Sequence, residues 1–120
     1  MNKKNIQIDI WQFVRVMVEA ENNPNGTILL TTYQDIWADV DNTLAETASQ
    51  DMEKYAELMM ETQVTLQGIT REVANAIMEM AGEVIGQLTK AIPTLADDMA
   101  VQDYAFEIHG LEQLVDELGA

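Results

Sequence analysis

Residues 9–22, DIWQFVRVMVEAEN, hold six polar positions: Asp9, Gln12, Arg15, Glu19, Glu21 and Asn22. All but Glu21 fall near one narrow helical face, and Ile10, Trp11, Phe13, Val14, Val16, Met17 and Val18 fill the rest. Asp9 and Gln12 stand at capping-box spacing, and Ile8 with Phe13 at the spacing of a hydrophobic staple. The pattern predicts a helix. A strand competes with it, because Ile6, Ile8, Ile10, Val14, Val16 and Val18 alternate and are β-branched. That strand would load Trp11, Phe13 and Met17 onto its opposite face and is broken by Gln12. The following NNPNG suits either outcome. It is a helix stop with Pro24 just beyond the asparagines, or a hairpin turn with Gly26 at positive φ. The first gives a mainly α, single-domain bundle of four to five helices. The second gives an α+β fold with an N-terminal β-hairpin over residues 12–20 and 27–32.

Downstream, TILL is expected to be a short extended connector, after which Thr31 and Gln34 have capping-box spacing. Tyr33, Ile36, Trp37, Val40 and Leu44 then follow a helical series. The longest pattern runs from Gln50 to Ala91, where Met52, Tyr55, Met59, Leu66, Ile69, Val73, Ile77, Met80, Val84 and Leu88 hold one stripe. An unbroken helix there would run ~63 Å at ~1.5 Å per residue, against a radius of gyration of ~14 Å for a compact chain of this length. A break or bend near Gly68 is therefore expected, unless another subunit covers the far end. Thr94 is a plausible N-cap for the last segment, whose stripe is Tyr104, Ile108, Leu111, Val115 and Leu118; YAFEI within it alternates like a strand.

Composition narrows the chemistry. Zero cysteines remove disulfides and cysteine metal sites. The single histidine, His109, rules out paired-histidine zinc and di-iron motifs. DVDNTLAET starts like a calcium loop at Asp39 and Asp41, but Leu44 occupies the position that needs glycine and Gln50 the position that needs glutamate. Ser49 is the only serine, and no nucleophile elbow or phosphate-cradling glycine loop is present. Asp97-Asp98 is the obvious carboxylate pair, yet adjacent helical residues point ~100° apart. No enzyme and no cofactor is expected. The N-terminal MNKKNIQIDIWQF lacks the continuous apolar run of a signal peptide, and no stretch reaches the ~18 apolar residues of a membrane span. The expectation is a soluble, cytoplasmic protein, in the host cytoplasm if phage-encoded.

The charge is the outlying feature: 21 acids against 6 bases leave −15. Free nucleic acid and anionic membranes are repelled by such a surface. Between Ala91 and Ala120 there are seven acids and no base. Glu53, Glu57 and Glu61 repeat at i, i+4, i+8, where like charges cost about what opposite charges would contribute, ~0.2–0.5 kcal/mol per pair. A solvated surface alone does not require that arrangement. Asp35, Asp39, Asp41, Glu53, Glu57, Glu61, Asp97, Asp98 and Asp103 are the candidate partner-binding residues, with Trp11, Trp37 or Tyr33 as an aromatic anchor. Gly82 and Gly86 form a small-x-x-x-small step that would admit another backbone.

In size and charge, without a shared motif, the chain is similar to small acidic inhibitors of phages and mobile elements, including DNA mimics and anti-CRISPR proteins. That likeness implies an inhibitor that occupies the basic surface of a nucleic-acid-binding protein. The competing expectation is a structural or assembly subunit, such as a helical homodimer or scaffold component.

Overall fold

A computed structural model describes residues 4–119. Residues 1–3, the start of the segment read above as lacking a signal peptide, lie outside it, as does Ala120. The element order is β1 (Lys4–Asp9), α1 (Ile10–Glu21), α2 (Thr27–Thr32), α3 (Gln34–Gln50), α4 (Met52–Glu61), β2 (Gln63–Ile69), α5 (Arg71–Ala91) and α6 (Asp98–Gly119), with 3-10 turns at Pro24–Gly26 and Ile92–Thr94. The protein is mainly α, with six α-helices among the described residues.

The helical pattern of DIWQFVRVMVEAEN prevails because α1 can bury both of its apolar flanks. Ile10, Trp11, Phe13, Val16, Met17 and Ala20 are all buried. The helix touches every other helix and both strands, so most of its apolar surface finds cover, Val18 being the exposed exception. Its start is tied down by Gln12, whose side-chain oxygen accepts the Asp9 N–H at 2.8 Å while its amide donates to the Gly110 carbonyl at 2.9 Å. One residue thus closes the N-terminus of α1 and fastens it to α6.

The hairpin over 12–20 and 27–32 does not form, since both segments are helical. TILL belongs to α2, and Thr31 lies inside that helix, its hydroxyl donating to the Thr27 carbonyl, so it does not cap α3. Gly26 has φ −89°, so its role is not a left-handed turn. A Cβ there would stand 2.4 Å from the Ala20 Cα. The turn is folded hard back against α1, and only glycine fits.

The β-structure lies elsewhere. β1 pairs antiparallel with β2, Ile8 opposite Val64 and Ile6 opposite Leu66, and the register then shifts so that Lys4 faces Ile69. Three residues of β2 therefore span two of β1, a bulge accommodated by Gly68 at φ +64°. The Gly68 N–H, freed from the ladder, donates to the Asn5 side chain at 2.9 Å. The expected interruption near Gly68 is present as a strand between two helices, rather than as a bend within one. Asp51 caps α4 by accepting from the Glu53 and Lys54 amides, and Thr70 caps α5 through the Val73 amide. Thr94 lies in the preceding 3-10 turn, and Asp97 stands at the start of α6, accepting the Met99 N–H at 3.0 Å.

α3 packs with α4 and α5 with α6, and these two helical hairpins flank α1. The core joins Phe13 and Met17 of α1 to Leu29, Leu66, Ile77, Met80 and Leu111. No helix is long and apolar enough to cross a membrane among the described residues.

Two outcomes follow from this packing. A Cβ on Gly110 would lie 2.5 Å from the Trp11 ring, whereas one on Gly82 meets nothing within 4 Å. In urea unfolding Gly110→Ala should lose about 1–3 kcal/mol, while Gly82→Ala should gain roughly 0.5–1 kcal/mol from helix propensity. The Tyr33 hydroxyl is buried without a partner, and desolvation raises its pKa. Its folded value exceeds the unfolded one, so its contribution is complete below the unfolded phenol value and is lost as pH rises through the folded value. Tyr33→Phe should be neutral or stabilising by about 1 kcal/mol at neutral pH, and should remove this part of the alkaline loss of stability in a pH series of melts.

Candidate functional site: an acidic surface around an apolar trough

All nine candidate acids are exposed, and among the described residues none of them forms an ion pair. Their distribution follows from the two hairpins. Asp35, Asp39 and Asp41 lie on α3 and Glu53, Glu57 and Glu61 on α4, so six of the nine share one helical hairpin. Asp97 and Asp98 at the start of α6, with Asp103 about one and a half turns further on, belong to the other hairpin. The six are not on one face. Asp39 borders a depression with Ile10, Leu58 and Thr62, whereas Asp41 borders another with Trp37, Met52 and Tyr55.

That second depression leads to a feature the sequence did not announce. Val14 and Val18 of α1 line two adjoining hollows. On one side stand Trp37, Leu44 and Ala48 of α3 with Met52 and Tyr55 of α4. On the other stand Met59 of α4, Val84 and Gln87 of α5 and Glu107 of α6. The result is an apolar trough floored by α1 and walled by the two hairpins. Val18 remains 43% exposed and Met52 64%, and Phe106, 51% exposed, leans over Trp11 with ring centroids 5.6 Å apart. The available signal was the width of the apolar arc on α1, which is greater than a surface helix needs to meet one core.

The trough has an acidic rim. Glu19, Glu21, Asp41 and Glu107 border it, against the single base Arg15. Arg15 is already engaged: its Nε and NH2 groups donate to the two Glu107 carboxylate oxygens at 2.7 and 3.0 Å. Those bonds are the main cause of its raised pKa, with burial opposing them. Glu19 accepts from the Gln87 amide at 2.8 Å and from Asn23, and Glu21 accepts from the Trp37 indole at 3.4 Å. These donors are neutral, so they fix the carboxylates in place without cancelling their charge.

Of the three aromatic anchors expected, Trp11 and Tyr33 are buried, and Trp37 alone is part-exposed, at the trough. Gly82 and Gly86 face open space on α5. Among the described residues no three His, Cys, Asp or Glu side chains converge as a metal site would require. Comparison with protein-family models, curated proteins and solved structures finds no match to this chain.

The Arg15 and Glu107 side chains are 40% and 20% exposed. Solvent screening limits what the pair contributes, so Glu107→Gln should cost no more than about 1 kcal/mol in urea unfolding. A loss several times larger would show the pair to be a structural clamp rather than part of a solvated rim.

Proposed function

We propose that the protein is a non-catalytic, acidic binding module that occupies the basic surface of a nucleic-acid-binding protein or complex, as DNA-mimic and anti-CRISPR-type inhibitors do. The observation that carries this reading is the set of nine exposed carboxylates with no ion pair among the described residues. Unneutralised charge of one sign raises the encounter rate with a cationic surface and leaves wrong partners repelled. One acid every ~6 Å along a helix is sparse beside a duplex, with one charge per ~1.7 Å of axis. The α3–α4 hairpin carries six of the nine acids, on more than one of its faces, and the trough rim adds Glu19 and Glu21. At −15 the chain itself is a poor ligand for free nucleic acid or anionic membrane.

A second reading, a homo-oligomeric assembly subunit, is favoured by the exposure of Met52, Met60, Met99 and Phe106. Screening distinguishes the two. Self-association of so acidic a chain strengthens as salt rises, whereas binding to a basic partner weakens.

The test is affinity capture from the native host, followed by salt titration of the best hit with the parent chain and with charge-reversed triples. Glu53→Lys, Glu57→Lys, Glu61→Lys together should weaken binding roughly tenfold or more while leaving the melting temperature within a few degrees. Unchanged affinity in this triple and in matching triples from α3 and α6 would reduce the surface to a solubilising one. Light-scattering mass that grows with salt would favour the assembly subunit.

A further inference from the structure

We propose that the trough over Val14 and Val18 is the docking groove for one amphipathic, basic helix of the partner. This deepens the binding-module reading and rests on it. The floor is α1, whose half-buried Val14 and exposed Val18 are one helical turn apart. Met52 and Tyr55 of α4 line one of the two adjoining hollows and Met59, one turn beyond Tyr55, lines the other, so α4 runs past both. From Trp11 to Glu21 the floor extends ~15 Å, or about three helical turns, which matches the apolar stripe of a short helix.

A helix is the occupant that fits because floor and walls are themselves helices. Their backbone groups are bonded internally, so an extended segment laid across them would find no main-chain partners. A helix satisfies its own backbone and brings only side chains. Charge complementarity decides the sign of its polar face. Four acids border the trough, and the one base among them is held by Glu107. Lysines or arginines flanking the occupant's apolar stripe would meet Glu19, Glu21 and Asp41 while their aliphatic stems cover the apolar edge.

A second copy of this chain does not meet that requirement. None of its six helices carries more bases than acids: α3 and α6 have no base, α1 and α4 have one each, and α5 pairs two bases with three acids. The remaining helix, α2, is uncharged, so no helix of a copy brings the net positive charge that the rim would attract.

The experiment uses the full chain and a synthetic helical probe of about fourteen residues, Lys-rich with leucines at i, i+4, i+7 and i+11. The control peptide has the same composition with its leucines spread around the helix. Anisotropy should show the amphipathic probe binding roughly tenfold or more tightly than the control, as burial of a few apolar side chains implies. Amide shifts should centre on Val14, Val18, Tyr55 and Met59. Val18→Glu makes the rim more acidic yet should abolish the preference for the amphipathic peptide. Met52→Ser, at an exposed position that lines the trough, should reduce it, and serves if the Val18 variant loses its helical circular dichroism. If both peptides bind equally and Val18→Glu strengthens both, the groove proposal fails while the acidic binding surface stands. If neither peptide binds, both fail. If the parent chain dimerises and Val18→Glu makes it monomeric, the trough belongs to a second copy and the proposal is overturned.

Discussion

The structure depends on the desolvation of a single helix. α1 is apolar over most of its circumference, and no one neighbour can cover it. Each remaining element meets it from a different direction: α5 most extensively, α2 through a turn closed tightly over Ala20, the strands at its N-terminal end, and the hairpins along its sides. Phe13 and Met17 are sealed as a result, and Phe13 also meets Tyr33 and Trp37 in T-shaped contacts with ring centroids 6.4 and 5.9 Å away. Where the hairpins part, Val14 is only half covered and Val18 stays exposed. The trough is what remains when five helices and two strands are not enough to enclose a sixth helix.

This arrangement separates the two kinds of surface the protein presents. Hairpins that face the core with one flank are free to carry charge on the other, and neither α3 nor α6 holds a base to offset its acids. Of the acids at the trough, Glu19 and Glu21 are restrained by amide and indole donors, which hold orientation and preserve charge. Long-range field and short-range apolar contact are then supplied by adjacent parts of one surface, the usual division between steering and anchoring in an interface.

Most of the helical content was legible in the sequence, since the stripe from Val73 to Leu88 is the buried face of α5 and the arc on residues 10–20 is that of α1. β2 was hidden for a specific reason. Leu66 and Ile69 are three apart, in phase with the helix that follows, so they extend its stripe. In the structure that spacing is produced by the bulge at Gly68, which inserts one residue into a two-residue repeat. The breaks within Gln50–Ala91 and before α3 depended on caps at Asp51 and Thr70 and on Tyr33 closing α2, and none of these stands out from its neighbours in composition. The nine acids were identifiable as exposed from their off-stripe positions. Their division between two hairpins, and the involvement of Glu19, Glu21 and Glu107, follow from tertiary placement that no linear spacing encodes.

The position of α1 also governs the order of synthesis. Its residues leave the ribosome before all of the helices that cover it, and Leu111 and Leu114, which complete the enclosure, follow about ninety residues later. β1 likewise waits some sixty residues for β2, its partner in the sheet. During translation this sticky segment therefore emerges ahead of its cover and stays unsheltered until α6 has been made. High negative charge on the incomplete chain would then keep neighbouring nascent copies apart, a protective use of the same carboxylates before any folded surface exists.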